Sequence, residues 1–164
     1  MKKWYSLIDK IYRIENLELA FKRVKKNNGA PGIDGETVFD FALNLGRNIE
    51  FLHEKLKTNK YKPSPVKRVE IEKPDGGIRL LGIPTVKDRV VQQAIVNVIE
   101  PIFDETFHPS SYGYRPNRSQ HQAVAKAERF MNKYGLAHVV DMDLSKCFDT
   151  LDHELIIEAI AEKI

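Results

Sequence analysis

Apolar residues recur three and four positions apart along most of this 164-residue chain, but between Val66 and Leu81 the period drops to two. No single segment satisfies both a period of 3.6 and a period of two, so the chain must set helices around a short β element. Val66, Arg68, Glu70 and Glu72 interleave with Lys67, Val69 and Ile71, and Ile78-Arg79-Leu80-Leu81 repeats the extended pattern beyond Pro74-Asp75-Gly76-Gly77. Two alternating runs around a turn signal predict a β-hairpin. Upstream, Trp4, Leu7, Ile8 and Ile11 mark one helix, and Leu17, Ala20, Phe21 and Val24 mark a second, with Asn16 as its expected cap and Asn27-Asn28-Gly29 as its stop. A helical stretch is expected from about Glu36 to Lys57. Thr85 and Asp88 form a capping pair ahead of a stripe from Val90 to Phe103. Ser119 and Gln122 open a further helix with Ala123, Ala127, Phe130 and Met131 on its apolar face. A strand is expected over 137–143. Asp152 caps a last helix, with Leu151 stapling onto Ile156 and with Leu155, Ile156, Ala159 and Ile160 buried. The fold class is α/β (α+β) and rich in helix.

Composition narrows the function. No apolar run approaches the ~18 residues of a membrane span. The N-terminal apolar residues are interrupted by Ser6, Asp9, Lys10 and Arg13, which is an amphipathic helix and not a signal peptide. Cys147 is the only cysteine, which excludes an internal disulfide and a cysteine-based zinc site. A cytoplasmic protein without a membrane partner is the expectation. Charge is uneven: residues 1–100 hold 19 Lys and Arg against 13 Asp and Glu, and residues 101–164 hold 7 against 10. Lys55–Arg89 alone holds ten against four. A basic first part suits a polyanion, although ordinary surface variation produces such a bias too.

The chemistry-bearing residues fall into three groups. Asp141-Met142-Asp143-Leu144-Ser145-Lys146-Cys147-Phe148-Asp149 brings a carboxylate to the expected strand end. Carboxylates so placed can hold a hard cation and leave room for phosphate. Asp143 can equally cap the turn or pair with Lys146. Lys73 and Arg79 on the hairpin suit phosphate oxygens, or else they solvate and protect an edge. Tyr112, Tyr114, Arg115, Pro116, Asn117 and Arg118 alternate rings and cations ahead of a helix, a composition that stacks bases or simply packs a loop. The five histidines show no metal-ligand spacing.

The segment D-L-S-K-C-F-D resembles the first catalytic motif of reverse transcriptases. N-N-G-A-P-G-I-D-G near residue 30 resembles the N-terminal motif of the group II intron and related bacterial enzymes. Y-K-P-S-P-V-K-R-V-E-I-E-K-P-D-G-G-I-R-L-L-G-I-P-T-V-K-D-R-V-V-Q and S-S-Y-G-Y-R-P-N-R-S-Q-H-Q-A-V resemble the two finger blocks of the same enzymes. The likeness covers roughly residues 15 to 155 in the family's order. It implies fingers over 1–135 and the first strand and helix of the palm over 136–164. It further implies that Asp143, with the Leu144 carbonyl, ligates Mg²⁺ and that Phe148 is the gate against a 2′-hydroxyl, while Lys73 and Arg79 meet the incoming dNTP. Asn28, Pro31, Gly32, Lys67, Arg68, Lys87, Arg89, Tyr114, Arg115 and Arg118 become candidates for RNA contact, and Asp141 and Asp149 keep structural roles. The implied partners are group II intron RNA, an RNA template with its DNA primer, and dNTP, in a bacterial ribonucleoprotein that also assists splicing, with a homodimer as a further expectation.

One departure bears on activity. No Asp-Asp pair occurs in the chain, so the family's second catalytic motif is missing. The last helix has no stop signal, and a truncation within the palm is the expectation. The fragment alone is expected not to polymerise. Rival readings are a reverse transcriptase of a retron or diversity-generating element, a non-catalytic RNA-binding module, and a metal-dependent nuclease using Asp141, Asp143 and Asp149.

Overall fold

A computed structural model describes residues 4–72, 74, 76–145 and 147–164, including the backbone but not the side chain of Asp149. The chain forms two compact units, one of residues 6–102 and one of residues 103–164 with Trp4 and Tyr5.

The first unit owns the core. Helix α1 (Leu7–Ile11) leads into α2 (Ile14–Asn27), whose Leu17, Ala20, Phe21 and Val24 are buried at the expected helical spacing. The helix starts earlier than expected, with Arg13 as its cap. Asn16 lies inside it and donates its side-chain amide to the carbonyls of Ile11 (2.9 Å) and Ala94 (3.1 Å). That amide is worth more tying two helices together than satisfying one terminal N–H, so tertiary structure overrode the local cap preference. The stop holds: Asn28 ends α2 in the left-handed conformation at φ 41.

The expected helix over 36–57 is two helices, α3 (Val38–Leu43) and α4 (Leu45–Lys57), separated at Asn44. Thr37 and Asp40 form a reciprocal capping box at the start of α3. The Asn48 side chain donates to the Phe41 carbonyl at 3.1 Å, which adds to the bond that carbonyl accepts from the Asn44 amide and ties α4 to the end of α3. The break lets Phe41 turn inward, fully buried, with its ring 5.0 Å from that of Phe21 and nearly parallel to it. Ile49 and Leu52 complete the α4 contribution to the core.

Strands β1 (Lys67–Glu72) and β2 (Ile78–Ile83) pair antiparallel, from Lys67 opposite Ile83 to Glu72 opposite Ile78. The hairpin is therefore where the change of period put it. Helix α5 (Val86–Asp104) follows and buries Val86, Val90, Val91 and Ala94 against α2, α3 and α4 in one cluster. Its Thr85 cap accepts from the Asp88 amide at 3.1 Å. Ile95 stays more than a third exposed, so the stripe is narrower than its sequence.

In the second unit, α6 (Gln120–Tyr134) carries the expected Ser119–Gln122 capping box and ends on Gly135 in the left-handed region. Helix α7 (Cys147–Thr150) is a single turn, and α8 (His153–Ala161) is capped by Asp152, which accepts from the amides of Glu154 and Leu155. Three expectations fail here. Residues 137–143 carry no strand, because no extended segment among the described residues pairs with them and an isolated strand gains no ladder bonds. The apolar face of α6 is not buried: Phe130 and Met131 are 41% and 50% exposed. Nor are the expected core residues of α8, with Leu155 at 63% exposed and Ile156 at 37%.

Candidate nucleic-acid interface

The loop after α2 is pinned to the start of α5. Gly32 is buried, and a Cβ there would stand 2.7 Å from the Thr85 backbone nitrogen and Cα and 2.9 Å from the Pro84 carbonyl carbon. Only glycine allows that approach. Arg89 donates to the Ala30 carbonyl at 3.0 Å, and the Lys87 ammonium sits 3.0 Å from the Glu36 carboxylate. Five expected RNA contacts, Asn28, Pro31, Gly32, Lys87 and Arg89, thus meet in one place. Asn28 stays exposed and Pro31 half-buried, whereas the two cations are engaged within the chain.

A second junction fixes the root of the hairpin, and sequence reasoning missed it. Asp88 is only 4% exposed. Its carboxylate accepts from the Tyr61 hydroxyl (2.5 Å), the Thr85 hydroxyl (2.6 Å) and the Ser64 amide (3.3 Å). Burial, and then the hydrogen bond to Asp88, raises the Tyr61 phenol above its ordinary range. The capping pair was legible locally. Its partners Tyr61 and Ser64, in the irregular segment ahead of Lys67, carried no signal.

The hairpin presents two unlike faces. Pairing puts Lys67, Val69, Ile71, Arg79, Leu81 and Ile83 on one, and Arg68, Glu70, Glu72, Ile78 and Leu80 on the other. Lys67 and Arg79 are therefore on the same face and both exposed, about 14 Å apart along the ribbon at ~3.4 Å per residue. Arg68 points the opposite way, beside two glutamates. Lys73 lies outside the described residues, as does Lys146.

In the second unit, Arg115 is committed to its own loop. Its Nε donates to the Asp104 carboxylate at 2.6 Å, and its other nitrogens reach the carbonyls of Asp104, His108 and Ser111. That hydrogen bond holds the Asp104 carboxyl below the usual carboxylate range. The bracing leaves Tyr114 fully exposed on left-handed backbone (φ 53). Arg118 stacks over Tyr112 at 5.6 Å from its ring centre. Asp143 is exposed, and Leu144 and Phe148 are 75% and 80% exposed. Among the described residues no three His, Cys, Asp or Glu side chains gather into a cation site. One carboxylate and a neighbouring carbonyl do not complete the oxygen set that Mg²⁺ takes, so these residues by themselves do not fit the ion.

No helix among the described residues is long and apolar enough to cross a membrane. Comparison with known proteins brings the parts together. The family model for reverse transcriptase (RNA-dependent DNA polymerase) matches residues 71–163, more than half the chain. Protein YkfC of Escherichia coli is 37% identical over 85% of this chain. The group II intron-encoded protein LtrA of Lactococcus lactis is 34% identical over 89% of it, and maturase-like protein 1 of Euglena longa 27% identical over 82%. The chain spans 37%, 24% and 29% of the length of these three relatives. A match that begins in β1, takes in β2, α5, α6 and the Asp143 turn, and ends in the last residues of the chain shows that this protein belongs to the reverse transcriptase family.

Proposed function

We propose that the chain forms the fingers (1–135) and the opening of the palm (136–164) of an intron-encoded RNA-directed DNA polymerase that also serves as a maturase for its host intron RNA. The observation that carries this is the family match over 71–163. It is supported by the likeness to LtrA, whose name places it in a group II intron.

On this reading Arg79 and Lys73 face the triphosphate of the incoming dNTP, and a guanidinium fork suits its oxygens. Lys67, Arg68, Tyr114 and Arg118 hold template backbone and bases. Asn28, Pro31 and Gly32 shape the loop beside them. Lys87, Arg89 and Arg115 act first as braces, which sets the geometry of the groups that reach RNA. Phe148 presses beneath the sugar, where a ring leaves no room and no partner for a 2′-hydroxyl. Asp143 and the Leu144 carbonyl supply part of a Mg²⁺ shell that further carboxylates of a complete polymerase would close. The protein works in the cytoplasm within an intron ribonucleoprotein, and copies of it pair through apolar surface of the second unit.

Fluorescence anisotropy with a structured intron RNA across a salt series tests the binding half. Affinity should fall as salt rises, with a log–log slope of several units. A flat response sinks the reading. Primer extension tests the rest: this chain alone should extend no primer, and extension that disappeared in Asp143→Ala would refute the claim of inactivity.

A further inference from the structure

Arg47, Phe51 and Lys55 stand four residues apart on α4 and so share one face. Two concavities of about 300 and 260 Å³ lie along that face, and Phe51 and Lys87 line both. Arg47 borders the first; Lys55, Lys60 and Lys62 border the second, together with the ring of Tyr61. Lys87 is neutralised by Glu36. Among the described residues, no carboxylate lies within ion-pair distance of Arg47, Lys55, Lys60 or Lys62. Glu50 and Glu54 are also on α4, but Glu54 lies 3.8 Å from His53 and Glu50 pairs with no cation among the described residues.

Phe51 makes the difference between a solvated basic face and a binding groove. Its side chain is 47% exposed in the middle of these cations, with the Lys55 ammonium 5.5 Å from the ring centre. A ring half in water gives up hydrophobic burial that the core residues on the same helix, Ile49 and Leu52, obtain in full. A half-exposed ring among uncompensated cations suits a ligand with both flat faces and regularly spaced negative charge.

We propose that this groove binds a single-stranded RNA segment, with phosphates on Arg47, Lys55, Lys60 and Lys62 and one base stacked on Phe51. Duplex RNA keeps its bases stacked inside and offers the ring nothing, so the groove selects unpaired RNA. The inference rests on the reading of the chain as an RNA-handling protein, and adds a site on α4 that lies outside the residues matched by the family, 71–163.

The test uses the whole chain and a fluorescein-labelled adenosine decamer, read by anisotropy. Phe51→Leu should weaken binding about 5- to 100-fold, the range of one lost base–ring stack, and Phe51→Trp should restore it. Lys60→Ala with Lys62→Ala should weaken binding and lower the salt slope by about 1.4, at ~0.7 per phosphate contact on a single strand. Lys25→Ala with Lys26→Ala, an equal loss of charge at the end of α2, should leave the slope unchanged. All of these side chains are exposed, and circular dichroism should superimpose on that of the parent. Unchanged affinity in Phe51→Leu, or equal losses from both lysine pairs, overturns the groove while structured-RNA binding, and with it the proposed function, still stands. Loss of all RNA binding in the unaltered chain would take down both.

Discussion

Asp88→Ala should be among the most damaging single changes in the first unit, and its cost can be worked from the network it removes. The carboxylate accepts from three donors, two of them at 2.5 and 2.6 Å. A hydrogen bond to a charged group is worth about 1.5–3 kcal/mol net, and a buried donor left unmet costs ~1–3 kcal/mol. The Tyr61 hydroxyl is only half-buried and can find water, so it contributes at the low end. Thr85 is 1% exposed and cannot. Ser64, at 3.3 Å, adds little. A total of about 3–4 kcal/mol follows, a large part of the ~5–15 kcal/mol that holds a domain together. With a urea m-value near ~2 kcal/mol per M, the midpoint followed by far-ultraviolet circular dichroism should drop by about 1.5–2 M. Tyr61→Phe should cost about 1 kcal/mol, and the double variant should cost less than the two singles added, with a coupling of about 1 kcal/mol. The pH response has a definite sign. The native chain holds the Tyr61 proton more tightly than the unfolded chain, so this stabilisation is complete below the unfolded pKa of ~10 and is lost as pH climbs toward the raised native value. The parent should therefore lose stability above about pH 10 more steeply than Tyr61→Phe. An Asp88→Ala midpoint within about 0.3 M of the parent (about 0.6 kcal/mol), or strictly additive singles, would refute the reasoning.

Other outcomes follow from the same geometry. Gly32→Ala should destabilise by about 1–3 kcal/mol in urea melts, because its methyl meets backbone that cannot swing aside, while Gly35→Ala, at φ +72 in open space, should cost only about 1 kcal/mol. Asp104 has a depressed carboxyl pKa, so its ion pair with Arg115 stabilises above the ordinary carboxylate range and fades as pH falls through the native value. The stability gap between the parent and Asp104→Asn should thus be open at neutral pH and close in acid, as read by thermal melts. Exposed apolar side chains such as Val140 (79%), Met142 (86%) and Leu155 (63%) should drive concentration-dependent association in sedimentation velocity, weakened by Leu155→Glu.

How far the sequence could be read depended on whether each signal was local. The hairpin was legible because its alternation and turn sit within about twenty residues, and the structure pairs Lys67–Ile83 through Glu72–Ile78. The boxes at Ser119 and Thr85 were legible because capping spans three residues. Asn16 misled because its partner, the Ala94 carbonyl, is 78 positions away. The Tyr61–Asp88 junction was hidden for the same reason. Residues 137–143 read as a strand because their composition is that of one, but composition does not supply a neighbour to pair with, and no described residue does.

The candidate site divides along a line that sequence cannot draw. Lys87, Arg89 and Arg115 were indistinguishable from Lys67 and Arg79 as cations read from sequence alone. The folded chain separates them by what lies within reach: a carboxylate for Lys87, a loop carbonyl for Arg89, and an aspartate with three carbonyls for Arg115. A guanidinium that already spends its donors on the protein has few left for phosphate, and removing it moves a loop before it removes a charge. On the proposed function, Arg115→Ala should therefore lower RNA affinity through disorder around Tyr114, and should do so with little change in salt slope. Arg79→Ala should reduce dependence on triphosphate charge and leave the fold intact. Measured side by side, salt slope and melting temperature distinguish the two: a brace moves the melt, and a phosphate contact moves the slope. If Arg115→Ala lowered the slope by a full phosphate contact with its melt unchanged, the division between braces and contacts would be wrong at the member with the most hydrogen bonds to the chain.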